Sequence, residues 1–186
     1  MRRAAYVLVG GRSSRMGFDK ALLRWGSATL VERVASAARA AAGSVTLVGA
    51  PERYAHLGYP TLADAEANRG PLGGIVAALA ATSADWNLIL ACDMPNVSAE
   101  LLKGLFTAAE AGCAEVDCVA PVHEAGTEPL CAVYHRRALP ALRAALDANQ
   151  LKMQAIVRSL HTRFWRTGDS SPFRNLNTPE EWLGHG

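Results

Sequence analysis

Long apolar runs, paired cysteines and a large excess of either charge are all missing from this chain. No segment of its 186 residues approaches the apolar length that crosses a bilayer as a helix, so a membrane-spanning helix is not expected. The opening MRRAAYVLVGG has the basic end of a secretory leader. Its apolar run, residues 4 to 9, is however shorter than a leader's core and is followed at once by Gly-Gly-Arg. A cytoplasmic location is the expectation. The four cysteines, at 92, 113, 118 and 131, include no CxxC pair and no histidine partners at zinc-finger spacing, which argues against a zinc site. They read as buried free thiols.

The charge balance is also close to even. Nineteen Lys and Arg stand against 17 Asp and Glu, a net of +2 that is too small for a general nucleic-acid binder. Positive charge therefore matters only where it clusters. Two nucleotide-binding fingerprints are absent as well: no GxGxxG follows the first apolar run, and Lys20 has neither the spacing nor the following Ser or Thr of a Walker loop. What is present is a globular composition, half hydrophobic and 19% charged, at a length suited to one domain over residues 1–186.

Short apolar stretches bounded by glycines or turn residues recur along the chain. Residues 4–9, 44–49, 86–92, 116–122 and 130–135 read as strands, and 29–42, 71–82, 98–112 and 136–149 read as helices. Strands alternating with helices of this length predict an α/β class, a mostly parallel sheet with helices on both faces. Ligands in such sheets bind beyond the carboxyl ends of the strands, which directs attention to the loops that follow them.

The loop after the first strand, LVGGRSSRMGFDK, joins two glycines to three cations. Gly10 and Gly11 allow a ligand to approach the main chain, and Arg12, Arg15 and Lys20 can converge on phosphates, the arginines as forks and the lysine as a point charge. A solvated basic turn is the competing reading. Asp93, in ACDMPNVS, follows the strand ending near Cys92 and has the chemistry to hold Mg²⁺ together with substrate phosphates; alone it reads equally as a turn acid before Pro95, with Ser98 capping the next helix. Asp64 follows a further short apolar segment. Pro71 suits a helix start, whereas Gly73 and Gly74 weaken a helix unless something packs closely on them. Near the end, Thr178, Pro179 and Glu181 form a capping box that leaves Asn175 and Asn177 without an explanation.

Four of these stretches, LVGGRSSRMGFDK, GPLGG, CDMP and NLNTPEE, occur in the order found in the molybdenum cofactor guanylyltransferases, and the chain resembles that family over nearly its whole length. Departures are Val9, where the family usually has alanine, and Gly49, where some members have asparagine. The resemblance implies a Rossmann-like nucleotidyltransferase fold and transfer of GMP from GTP to the terminal phosphate of molybdopterin, with release of pyrophosphate.

It further implies that Leu8, Val9, Gly10, Gly11 and Arg12 lie against the nucleotide and that Lys20 meets its phosphates. Asp64 would bind the nucleotide, Asp93 would carry Mg²⁺, and Asn175 and Asn177 would lie on the pterin side. Arg15, Lys20 and Asp93 are the expected catalytic groups. Proteins that deliver the cofactor and accept the product are expected partners. A cytidylyl or sugar-phosphate nucleotidyltransferase would use the same loop, and a non-catalytic nucleotide-binding adaptor belongs to another class. An NAD(P)-dependent oxidoreductase shares the α/β pattern but lacks its fingerprint here.

Overall fold

The computed structural model describes residues 1–10, 19–64, 66, 69–112 and 115–175. The chain enters through β1 (Arg3–Leu8), makes a small hairpin of β2 (Arg24–Trp25) and β3 (Ala28–Thr29), and continues into α1 (Leu30–Ala42). Then come β4 (Thr46–Gly49), the short α2 (Pro51–Tyr54), β5 (Thr61–Ala63) and α3 (Pro71–Ala81). The second half runs through β6 (Trp86–Ala91), α4 (Ala99–Glu110), β7 (Cys118–His123), β8 (Gly126–Thr127) and β9 (Cys131–His135). It ends with α5 (Leu139–Asp147), α6 (Met153–Ser159) and β10 (Thr162–Arg166).

The strands form one sheet in the order β10-β7-β9-β6-β1-β4-β5, with β8 paired to β7. The pairs β1–β4, β1–β6, β4–β5 and β7–β10 are parallel, while β9 runs antiparallel to both β6 and β7. The expected class is therefore found, a mostly parallel sheet with helices on both faces. From β1 the chain moves outward through β4 and β5, then returns across α3 to β6 on the other flank of β1. The crevice at the ends of β1 and β6 is thus the switch point at which open α/β sheets bind ligands.

Strand alternation explains the two layers. Val7, Leu47, Leu88 and Leu90 point into a buried cluster with Val34 and Ala35 of α1 and Leu102 and Phe106 of α4. Tyr6, Val48 and Ile89 point the opposite way, onto Ile75 and Leu79 of α3, Leu142 of α5 and Ile156 of α6. Because both faces are covered, these strands read as continuous apolar runs rather than alternating ones.

Local signals set the helix ends. Thr29 and Glu32 form a reciprocal capping box at the start of α1, and Gly43 stops that helix in the left-handed region. The Ser98 hydroxyl accepts from the Leu101 amide at 3.2 Å, the cap expected for α4. Residues 136–138 form a 3-10 turn, with α5 beginning only at Leu139. The capping box at residues 178–181 lies outside the described residues. Among the described residues no helix is long and apolar enough to cross a membrane.

Candidate functional site

Four parallel strand ends converge at one edge of the sheet. Leu8 lies in register with Val48 on one side and Ala91 on the other, and Gly49 lies opposite Ala63. Residues just past these ends, Val9, Gly10, Asp64, Cys92 and Asp93, are thereby set along the same edge.

On the β1 side the backbone is held down. The Val9 amide donates to the Val48 carbonyl at 2.9 Å, which prolongs the pairing one residue beyond β1. Gly10 then leaves with φ +94°, a left-handed conformation natural to glycine, and a side chain placed there would meet nothing within 4 Å. Gly49 is the opposite case. Any Cβ at position 49 would fall on the Val9 carbonyl oxygen and lie 2.9 Å from Val9 Cγ2. The departure at Gly49 thus has a cause within the chain, the close passage of Val9.

The Asp64 turn rests on this platform. The Asp64 amide donates to the Gly49 carbonyl at 3.2 Å, and Oδ1 of Asp64 accepts from the Glu66 amide at 2.9 Å. A Cβ on Gly73 would sit 3.0 Å from Asp64 Oδ1 and one on Gly74 would sit 3.0 Å from Leu8 Cδ2. The two helix-weakening glycines are accounted for: they let the start of α3 lie directly against the Asp64 turn and β1. Arg143 of α5 reaches Glu66 at 3.1 Å, and the Arg69 guanidinium donates to the Leu146 carbonyl, tying the same turn to α5. Burial raises the Asp64 carboxyl above the usual aspartate range, with the Glu66 amide working against the shift.

On the β6 side, Asp93 follows Cys92 in a turn anchored by the buried side chains of Met94 and Val97. Arg33 of α1 clamps that turn by donating from Nε to the Pro95 carbonyl at 2.6 Å. Burial pushes the Asp93 carboxyl up as well, opposed by its own amide and by the charge of Lys20. The Cys92 thiol is pushed up to about 12, first by burial and then by Asp93 and Asp19, so it stays protonated and is no nucleophile. Asp93 Oδ1 is buried and has no hydrogen-bond partner among the described residues. A buried carboxylate oxygen without a donor is a costly arrangement that a bound cation relieves, so these residues fit a hard divalent metal held by Asp93.

Lys20 opens a 3-10 turn, Lys20–Leu22, that packs against α1. Its charge acts on both Cys92 and Asp93, which places it at the β1/β6 crevice. The turn is capped by Asp19, whose Oδ1 accepts from the Ala21 amide at 3.1 Å and whose Oδ2 accepts from the Tyr54 hydroxyl at 2.7 Å. Tyr54 was not legible as part of the site from sequence, because its partner lies 35 residues away and no local pattern links them.

Leu8, Val9, Gly10, Lys20, Asp64 and Asp93 are therefore brought to one sheet edge. Asn175 is exposed and follows the 3-10 turn Ser171–Phe173, whose Phe173 ring stacks on His123 at the end of β7 with centroids 5.4 Å apart. Strand β7 runs parallel to β6, so this contact lies toward the same edge, on the far flank from Asp64. Gly11, Arg12, Arg15 and Asn177 lie outside the described residues. Among the described residues no three His, Cys, Asp or Glu side chains gather as a metal cluster.

Residues 5–163 match the family model described as a MobA-like NTP transferase domain. A protein from Flavobacterium johnsoniae is 32% identical over 180 residues, covering 95% of this chain and 92% of that one. A protein from a Nostoc species is 35% identical over 180 residues, covering 95% of this chain and 87% of that one. Both are named probable molybdenum cofactor guanylyltransferases. Among solved structures, the molybdopterin-guanine dinucleotide biosynthesis protein A of Archaeoglobus fulgidus superposes with a TM-score of 0.79 at 26% identity, covering 98% of this chain and 96% of that one.

Proposed function

The chain belongs to the family of MobA-like NTP transferase domains, and from that premise we propose that it transfers GMP from GTP to the terminal phosphate of molybdopterin. The products are the guanine dinucleotide form of the cofactor and pyrophosphate. The names carried by the similar proteins support this choice of substrates. The observation that carries a catalytic role is the pairing of a buried, donor-free Asp93 oxygen with the charge of Lys20 at the β1/β6 crevice.

The chemistry needs little from protein acids and bases. A phosphomonoester with a second pKa of about 6 is already mostly dianionic at neutral pH and can attack the α-phosphorus without a general base. The obstacle is charge, since an anion must approach a triphosphate and further charge collects on the departing pyrophosphate. In this reading Lys20 and Arg15 stabilise the leaving group, the amides at Gly10 and Gly11 donate to phosphate oxygens, and Val9, its own amide paired to Val48, lies against the nucleotide. Asp93 holds Mg²⁺ and Asp64 contacts the nucleotide. When bound, the metal neutralises and orients phosphate oxygens. Leu8 and Arg12 line the nucleotide side, and Asn175 and Asn177 face the pterin. One nucleotidyltransferase domain over residues 1–186 carries the whole reaction.

Pyrophosphate release with molybdopterin and each of the four ribonucleoside triphosphates tests the reading. GTP is expected to be the best donor. Equal or better turnover with CTP would move the protein to cytidylyl transfer, and nucleotide binding without pyrophosphate from any of the four would make it an adaptor.

A further inference from the structure

The loop between Gly10 and Asp19 has one end fixed by the sheet, where the Val9 amide is paired to β4. The other end is fixed by a side chain from a different part of the fold. Tyr54, the last residue of α2, is 1% exposed and packs in the same buried cluster as Ala21 and Met94, with Cys92 against it. Its ring therefore cannot wander, and its hydroxyl meets Asp19 Oδ2 at 2.7 Å. The other oxygen of that carboxylate is used at the same time, by the Ala21 amide at 3.1 Å. The Leu22 amide closes on the Asp19 carbonyl at 3.0 Å and the Leu23 amide on that of Lys20 at 3.2 Å. Each bond of this set orients the backbone from which Lys20 projects.

We propose that Tyr54 is a positioning residue of the phosphate site: through Asp19 it fixes the far end of the glycine-rich loop and sets Lys20 beside Asp93. This rests on the reading of Lys20 as a phosphate contact. Burial keeps the Tyr54 phenol protonated, so its hydroxyl is the donor in the bond to Asp19.

The test is a cycle of four proteins: wild type, Tyr54→Phe, Lys20→Ala and the double variant. For each, the affinity for Mg·GTP, kcat/KM for pyrophosphate release and the melting temperature are measured. Tyr54→Phe removes one oxygen from a buried ring. It should lower affinity and kcat/KM about tenfold in the wild-type background, the lower end of what loss of an orienting partner costs at a site. In the Lys20→Ala background the same change should cost almost nothing, because the group it acts through is gone. The shift in melting temperature should be the same in both backgrounds.

An equal functional loss in both backgrounds, or none in the wild type, would overturn the proposal. Asp19→Ala reaches the same bond from the loop side, and adding Tyr54→Phe to it should bring no further functional loss; a further tenfold loss there would count against the route through Asp19. The affinity arm keeps the two readings apart. Wild-type protein that binds Mg·GTP but releases no pyrophosphate defeats guanylyl transfer, while the cycle on affinity still decides Tyr54. Wild type that binds no Mg·GTP defeats both.

Discussion

Asp64 and Asp93 are the same residue type just past the ends of two parallel strands, β5 and β6, that flank β1 and β4 in the sheet, and burial raises the carboxyl pKa of both. Their surroundings differ in one respect. Asp64 has an amide donor at 2.9 Å on Oδ1 and two glycines of α3 pressed against it, so its geometry is fixed by the protein alone. Asp93 has a buried oxygen with no donor among the described residues and a lysine charge nearby. The first is a satisfied turn acid that presents its remaining oxygen; the second keeps one buried oxygen for which the described residues supply no donor. Read alone, Asp93 is as much a turn acid as a metal ligand and Asp64 is first of all an ordinary loop acid; the hydrogen bonds add the physical distinction.

The comparison breaks most visibly if both are made neutral in turn. Asp93→Asn keeps the size of the side chain and removes the charge proposed to bind metal, so Mg²⁺-dependent turnover should fall by at least about a hundredfold, the upper end of what even an outer-shell partner of a metal is worth. Circular dichroism should show the fold intact. Turnover within a fewfold of wild type would remove Asp93 from the site.

Lys20→Ala comes next. Losing a charge-assisted contact should cost about 1.5–3 kcal/mol of transition-state stabilisation, or roughly a ten- to hundredfold drop in kcat/KM. The control is Lys103→Ala on an exposed part of α4, which should change nothing measurable. Arg143 would be a poor control, since it pairs with Glu66 in the Asp64 turn. Equal, wild-type kinetics in the lysine variants would leave Lys20 as part of a solvated basic turn.

Asp64→Asn should be the mildest of the three in turnover. An asparagine Oδ1 can still accept from the Glu66 amide and keep the turn, so the effect should be confined to KM for GTP, about tenfold for one weakened polar contact. A collapse of kcat with KM unchanged would mean that the two aspartates share the metal, and the distinction drawn between them would fail.

Much of this was legible before any coordinate. The strands at β1, β4 and β6 are buried on both faces and so read as unbroken apolar runs, and α1 and α4 announce themselves by their caps. What sequence missed has physical reasons. β5 and the β2–β3 hairpin are too short to carry a period, and β10, with Arg163 and Phe164 exposed at an edge of the sheet, looks like a polar loop. The short α6 was missed too, and the antiparallel direction of β9 is a matter of topology that no local pattern encodes. In the site, Asp93, Lys20 and Asp64 could be picked out because each sits next to a strand end or a glycine motif. Tyr54 and Gly49 could not, because their reasons lie in contacts with Asp19 and Val9 that are remote in sequence.

The smallest effect is the most discriminating, because it reads stability rather than rate. The Asp93 carboxyl has a pKa in the folded protein above its ordinary value of about 3.8, the direction that burial imposes on an acid. A raised folded pKa favours folding fully while the group is protonated in both states, below about pH 3.8, and that contribution is lost as pH rises through the folded value. Metal-free wild type should thus carry a penalty at neutral pH that Asp93→Asn does not. The two proteins should melt together in acid, and the variant should melt a few degrees higher at pH 7. Asp64 is raised by the same cause but is present in both proteins, so it cancels in the difference. Saturating Mg·GTP should reverse the order, since a ligand at about 100 times its Kd adds about 2.7 kcal/mol to the protein that binds it and little to the one that does not. A variant that melts below wild type at pH 7 without metal would show that the Asp93 charge is already satisfied by the fold, and the contrast with Asp64 would be lost.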